Sequence, residues 1–469
     1  MDSVLDVPAF ARASWGVVVQ SLDDGQILYR RNAERLFLPA SNLKLVTAAG
    51  ALVRLGADFR WRTPVFARGA RRADTLVGDV VVVGRGDPAL AVDAAAGAEA
   101  LAPLRPWADS VRARGIAVVT GHLAGDASLF PDPGLGPGWA WDDLDADYSA
   151  PVGPLQLDND VAWIEATPGA APGQPVAATL LPARAPLRLF STAVTAPADS
   201  NIDKLTWSRA PFGDSVLLAG RLSAGRPAVR LPVSVPDPGR YFLVALRQAL
   251  DEAGVTVRGD SAAAATPGPR AGPLAADTTT DTLFVWQSPP LGLVLPLLLK
   301  PSQNQIGETL LRTLAAQVKG TGSMDSGRAA LREVMTGFGV PPDAYVLADG
   351  SGLSRYDEIA PAALAQLLAA MYRRPDFDAF YAALPVAGVD GTLAARLKGT
   401  RAAGNAHAKT GSLSGVRTLS GYVRTADGEM LLFVLMANGF TVPQRVVETA
   451  QDRIVERLAN FSRTWPGRP

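Results

Sequence analysis

The chain has no cysteine among its 469 residues, which excludes disulfides, thiolate metal sites and a cysteine nucleophile. It has only two histidines, His122 and His407. Neither is accompanied by a G-x-S-x-G elbow or an HExxH motif, so nothing points to a Ser-His-Asp triad, a catalytic metal or a cofactor. Basic and acidic residues balance at 45 each, and there is no lysine/arginine run. No phosphate-tracking stripe can be built from that pattern, and neither nucleic acid nor an anionic membrane is expected as a partner. Long apolar stretches are also missing. The longest, Leu291 to Leu299, contains Pro296 and falls far short of the ~20 residues that span a bilayer. The opening Met1-Asp2-Ser3-Val4 has no basic segment followed by an apolar core, so the expectation is either an internal protein or one whose leader has been removed.

Lysine is scarce too: six (Lys44, Lys204, Lys300, Lys319, Lys398, Lys409) against 39 arginines. The Ala-, Gly-, Pro- and Arg-rich composition looks like GC-rich coding bias, and a lysine retained against that bias calls for a reason. Arginine keeps its proton in any protein setting, whereas a buried lysine amine can become neutral and act as a base.

The length suggests two or three domains, and 48% hydrophobic with 19% charged residues describes a globular chain. Gly16 to Gln20 reads as a strand, Asp23-Asp24-Gly25 as a turn, and Gln26 to Tyr29 as the returning strand. Pro39 then precedes Ser41, and Leu43, Val46, Thr47, Ala51 and Leu52 have helical spacing, which places Ser41 near a helix N-terminus. From about Phe59, short Val-rich strands alternate with turns (Asp79 to Val83, Ile116 to Val119, Val161 to Ala166). Between roughly 160 and 236 there is no convincing long helix. Pro238 to Gly254 is an amphipathic helix, and Pro267-Gly268-Pro269 marks a boundary. Helices follow at Leu291 to Leu299, Ile306 to Val318, Gly327 to Gly337 and Pro361 to Tyr372. Three strands (Ala406 to Thr410, Arg417 to Val423, Met430 to Ala437) and a helix after Pro443 close the chain. If the middle is an insertion, the first hairpin and the last three strands can share one antiparallel sheet.

Three short motifs carry chemistry. In Ser41-Asn42-Leu43-Lys44, residues at i and i+3 share a helix face, so the Lys44 amine can activate the Ser41 hydroxyl. No other lysine has a serine three positions before it. In Ser302-Gln303-Asn304, between two helices, Ser302 can relay a proton to a leaving amine, and Asn304 can bond Lys44 and the substrate amide. In Lys409-Thr410-Gly411, at a strand end, Lys409 and Thr410 can hold a substrate carboxylate, and Gly411 admits the substrate backbone at the strand edge. Each motif alone is commonplace; in this order and context they form a set.

On these motifs, together with Gly86-Asp87-Pro88, Tyr148-Ser149-Ala150-Pro151, Ser288-Pro289-Pro290-Leu291, Asp349-Gly350-Ser351-Gly352-Leu353-Ser354-Arg355 and Gly388-Val389-Asp390-Gly391-Thr392-Leu393, nearly the whole chain resembles the class C low-molecular-mass penicillin-binding proteins of the D-Ala-D-Ala carboxypeptidase/endopeptidase type. The resemblance implies an α+β penicilloyl-serine transferase (β-lactamase/transpeptidase-like) domain, its antiparallel sheet flanked by helices, formed by 1–66 and 278–469. Two inserted β-rich domains are implied, one of 67–159 with 237–277 and one of 160–236. It implies Ser41 as nucleophile, Lys44 as general base, Ser302 and Asn304 as second element and Lys409 as third, with Thr410, Gly411 and Ser412 binding substrate. The oxyanion hole would use the N–H groups of Ser41 and Ser412. Substrate would be a peptidoglycan stem peptide ending in D-Ala-D-Ala, and β-lactams would acylate the same serine, with no cofactor and no metal. The location would be periplasmic or otherwise extracytoplasmic, which the lack of cysteine suits, and a homodimer would be compatible. Gln303 stands where related enzymes commonly have Asp, at a position expected to point away from the reaction. The competing readings are a β-lactamase or esterase on the same fold, and a non-enzymatic penicillin-binding sensor.

Several features have plainer readings. Gly84-x-Gly86-x-x-Ala89 partly resembles a dinucleotide fingerprint but carries Pro88 and reads as a turn. His407 reads as a packing or rim residue. Trp139, Trp141 and Tyr148 read as packing, the alternative being a loop that contacts the substrate side chain. Asp349 to Arg355 reads as a structural tight loop.

Overall fold

The strand Met430–Asn438 is buried at every position but the last, and its neighbour Val416–Arg424 at every position but Arg424. A strand with water on one face would alternate; these do not, because helices cover both faces. In the computed structural model, which describes residues 1–91, 99–200, 203–264 and 280–463, they form the middle of a five-stranded antiparallel sheet. Its order is His407–Leu413, Val416–Arg424, Met430–Asn438, Ser14–Ser21, Ile27–Arg31. The N-terminal hairpin and the three last strands thus share one sheet, as the sequence suggested. Leu431, Phe433, Leu435 and Ala437 pack with Val447, Ile454 and Leu458 of the last helix, Gln444–Ala459. On the other side the Tyr422 hydroxyl donates to the Leu368 carbonyl (2.9 Å) of the helix Pro361–Tyr372.

The chain forms two compact units. The first comprises Met1–Phe59, Gly136–Trp139 and Pro290–Pro469; the second, Arg60–Leu135 and Ala140–Pro289. The first holds the five-stranded sheet and the helices Leu43–Leu55, Leu291–Leu299, Asn304–Lys319, Met324–Gly337 and Pro361–Tyr372. These helices match the predicted ones within a few residues. The one shift that matters is that Asn304 is the first residue of its helix and not part of the preceding loop.

The second unit contains a seven-stranded sheet that includes the antiparallel run Thr75–Val83, Arg62–Arg72 and Thr280–Gln287. The described residues of 161–234 add a three-stranded and a four-stranded sheet and no α-helix. The expected strand at Ile116 to Val119 shrinks to Val118–Val119. The amphipathic helix forms as Pro238–Glu252, its first turn closed by the Asp237 side chain accepting the Arg240 N–H (2.9 Å). After the strand Thr75–Val83, residues 84–91 run as a loop held by Asp87, whose carboxylate accepts the Ala89 N–H and the Trp286 indole N–H. The Pro267-Gly268-Pro269 boundary lies outside the described residues.

Trp107, 1% exposed, anchors this unit's core, with Phe242, Phe284 and Trp286 at ring-centroid distances of 5.5, 5.7 and 5.6 Å. Trp107→Ala removes a buried indole that three rings pack against. It should lower the folding free energy by about 3–5 kcal/mol, seen as an earlier urea midpoint; a shift under about 1 kcal/mol would mean the pocket collapses around the gap.

Candidate active site

Ser41 lies in a single 3-10 turn, Ala40–Asn42, that leads directly into the helix Leu43–Leu55. The sheet holds this turn from below. Thr418 Oγ1 donates to the Pro39 carbonyl (2.8 Å), and Asn42 Nδ2 donates to Ser420 Oγ (2.7 Å). Gly411 lies where a Cβ would stand 2.1 Å from Thr418 Oγ1 and 2.7 Å from the Pro39 carbonyl oxygen. Glycine in the KTG motif therefore lets the edge strand close on the serine turn, a reason the sequence reading, which looked only to the substrate, did not contain.

One turn along the helix, Lys44 is fully buried. Its Nζ lies 2.8 Å from Ser41 Oγ, 2.5 Å from Asn304 Oδ1 and 2.8 Å from the Ser351 carbonyl oxygen. Two of these partners, an amide oxygen and a backbone carbonyl, can only accept. A neutral amine has two N–H donors and one lone pair. With both donors given to Asn304 and Ser351, the lone pair faces Ser41, whose O–H then donates to nitrogen. Burial pulls the Lys44 amine down from its ordinary range to about 7, against the opposing pull of Asp349, Glu308 and Asp357.

Lys409, also fully buried, donates to Ser302 Oγ and to the Thr410 carbonyl, each at 2.8 Å. Burial, and then the charge of Lys44, push its amine well below the usual range. Ser302 is held at φ +68°, the left-handed region a serine seldom adopts. The structure thus joins Ser41, Lys44 and Asn304 in one cluster and Ser302, Lys409 and Thr410 in another, and the charge of Lys44 acts on Lys409. Gln303 takes no part in these hydrogen bonds; its N–H donates to the Leu298 carbonyl (3.0 Å). The edge strand presents its next groups to the open side. Ala408 N–H donates outward to the Pro385 carbonyl (2.9 Å), so by the two-residue alternation the N–H groups of Thr410 and Ser412 point the same way.

The loop Asp349 to Arg355 is structural, as the sequence suggested, and it also reaches the site through the Ser351 carbonyl. Asp349 organises the loop by accepting the N–H groups of Ser351, Gly352 and Ser354 (3.0, 2.7 and 2.7 Å) and the Trp139 indole N–H (3.0 Å). Gly352 needs to be glycine: φ is +80°, and a Cβ would lie 1.9 Å from the Ala40 carbonyl oxygen. Sequence reasoning missed Glu308 and Arg312. Their i,i+4 spacing suggests a solvated helix pair, yet both are 0% exposed, with Arg312 Nη1 3.2 Å from Glu308 Oε2. Glu308 Oε1 accepts the Gly350 N–H (2.8 Å), and burial together with Asp349 raises its carboxyl well above the usual range. Burial and Asp349 likewise raise Asp357, which accepts the Ala348 N–H (2.6 Å).

Among the aromatic residues, Trp139 packs as expected. Trp141 and Tyr148 do not; they are 72% and 43% exposed, because the short 3-10 turns that carry them display the rings instead of burying them. His407 stacks on Tyr381 at 3.9 Å and 14°, a packing role, and His122 Nδ1 accepts the Asp260 N–H (3.0 Å). Neither histidine serves Ser41. No group of three or more metal-ligating residues occurs among the described residues.

A family model described as the D-Ala-D-Ala carboxypeptidase 3 (S13) family matches residues 1–461. The chain belongs to this family. A relative, the D-alanyl-D-alanine carboxypeptidase of Actinomadura sp. (strain R39), is 35% identical over 474 residues, covering 98% of this chain and 84% of the relative. The crystal structure of penicillin-binding protein 4 (dacB) from Haemophilus influenzae superposes with a TM-score of 0.82 at 25% identity, covering 98% of this chain and 99% of that one. The same H. influenzae protein complexed with a β-lactam gives a TM-score of 0.77 at 25% identity, covering 98% and 100%. The S13 chain accordingly has the penicilloyl-serine transferase fold, mixed α and β with antiparallel sheets.

Two measurements check the geometry of this S13 site. A base that must be neutral loses activity on the acid side, so the second-order rate of acylation by benzylpenicillin should rise with pH through about 7. It should fall roughly tenfold per unit well below that point; a flat profile between pH 5 and 8 would exclude Lys44 as the titrating base. Gly411→Ala forces a methyl group against Thr418 and Pro39, with an expected loss of about 1–3 kcal/mol in stability and slower acylation. Unaltered melting and acylation would show that the turn has room to spare.

Proposed function

We propose that the protein is a serine-type D-Ala-D-Ala carboxypeptidase that works through an acyl-enzyme at Ser41. The observation that carries this reading is the Lys44 amine, 2.8 Å from Ser41 Oγ with both of its other hydrogen-bond directions taken by fixed acceptors. Ser41 attacks the carbonyl of the penultimate D-Ala while Lys44 takes its proton. The developing oxyanion is met by the N–H groups of Ser41 and Ser412. Collapse of the tetrahedral intermediate expels D-Ala, whose amine receives a proton relayed through Ser302, and water then releases the shortened peptide. Lys409 and Thr410 hold the terminal carboxylate. That anion supplies the counter-charge that buried Lys409 otherwise lacks, and so restores the ammonium form when substrate binds.

β-Lactams acylate the same serine and leave slowly. Cleavage of D-Ala–diaminopimelate cross-links is a second activity of the same chemistry, since only the leaving amine differs. A substrate of this kind places the enzyme outside the cytoplasmic membrane; no helix among the described residues is long and apolar enough to cross one. Within the proposed architecture, 160–236 forms a domain inserted in a second domain of 67–159 and 237–277. The three- and four-stranded sheets confined to 161–234 support that division.

Ser41→Ala should abolish both fluorescent-penicillin labelling and D-Ala release from a stem peptide. In the unaltered enzyme, mass spectrometry after benzylpenicillin should map the adduct to the peptide carrying Ser41. Labelling that persists in Ser41→Ala removes the proposal, and rapid turnover of penicillin in place of a stable adduct would assign the protein to the β-lactamases.

A further inference from the structure

One segment touches the site without a part in the chemistry above, the loop that carries Gly388-Val389-Asp390-Gly391-Thr392-Leu393. Its backbone is held from two sides. Thr392 N–H donates to the Lys300 carbonyl (3.0 Å), Lys300 Nζ meets Asp390 Oδ2 at 2.5 Å and the Leu384 carbonyl at 3.1 Å, and Asp390 Oδ1 accepts the Val386 N–H (2.9 Å). Further along, Ala408 N–H of the edge strand donates to the Pro385 carbonyl (2.9 Å). These contacts tie Asp390 and Thr392 to Lys300, while Thr410 is tied through Lys409 to Ser302. The link between Thr392 and Thr410 is made by side chains alone: the Thr410 hydroxyl donates to Thr392 Oγ1 at 2.7 Å. Thr392 itself is exposed, so its hydroxyl is not there to fill a core.

A threonine hydroxyl has a single proton. While Thr410 gives that proton to Thr392, it offers an arriving anion only lone pairs. To bind a carboxylate, Thr410 must turn its proton outward, and its oxygen then needs a donor behind it. The Thr392 hydroxyl, 2.7 Å away, is placed to supply it. The reversed chain, Thr392 to Thr410 to carboxylate, polarises each bond in the same direction and strengthens the last one.

We infer that Thr392 is a positioning residue for carboxylate recognition: its hydroxyl, 2.7 Å from Thr410, backs the Thr410 proton when a ligand with a free terminal carboxylate binds. The inference rests on the reading that Thr410 holds that carboxylate. The device selects ligands by their anionic end, while the acyl-transfer step itself remains with Ser41 and Lys44.

The test uses the full chain and two acylating probes, benzylpenicillin and its methyl ester, whose carboxylate is masked; adduct formation is followed by intact mass. The quantity read is the ratio of the two second-order rate constants, which loss of folded protein does not move. Thr392→Val should lower the ratio about tenfold, the scale expected when a charged ligand loses one supporting hydrogen bond, and Thr392→Ser should restore it. If Thr392→Val leaves the ratio unchanged while Thr410→Val lowers it, Thr392 has no such role although the carboxylate site stands. If Thr410→Val also leaves the ratio unchanged, the carboxylate reading and the inference built on it fall together.

Discussion

The proposed active site depends on keeping one lysine amine dry and pointed. Lys44 has no exposed surface, and its two proton-accepting neighbours come from segments some 260 and 307 residues further along the chain. Taking an ammonium out of water is costly, and the chain avoids that cost by letting the proton go. What remains is an amine whose lone pair has a single direction open to it, toward Ser41. The sheet contributes by pinning Pro39 and Asn42, and the loop at 349–354 by presenting the Ser351 carbonyl.

Behind that amine lies an unusual concentration of acidic groups. Asp349, Glu308 and Asp357 all act on Lys44 in the direction opposite to burial. Burial and Asp349 together raise Glu308 and Asp357, which reduces their readiness to carry charge. The balance between desolvation and this acidic backing is what holds Lys44 near neutrality instead of far below it. Arg312, buried beside Glu308, belongs to the same balance. The Asp349 loop is therefore best understood as the electrostatic floor of the site as well as a turn.

Much of this was readable in the chain, and the unread part follows a physical pattern. Apolar helices that open at a proline, such as Leu291–Leu299 after Pro290 and Pro361–Tyr372, were placed to the residue. Ser41 and Lys44 were legible because i,i+3 spacing on a helix is a local fact. Glu308 and Arg312 were not, because the same spacing that marks a solvated pair on a surface helix is found here on one buried all round. Thr392 sits in a segment that resembles the family, yet its contact with Thr410 depends on an edge strand meeting a distant loop. Trp141 and Tyr148 misled for the opposite reason, since aromatic residues usually bury and these do not.

The order in which the sheet is built has a consequence for a chain emerging from the ribosome. Ser41, the proposed nucleophile, is made early, whereas Lys409, Thr418 and Ser420, which lie around it or anchor its turn, are made some 370 residues later. A half-made chain carries the serine but neither its sheet support nor the water-free surroundings that pull the Lys44 amine down. On the proposed function, reactivity arrives only with completion, and an unfinished copy offers an antibiotic nothing but an ordinary alcohol.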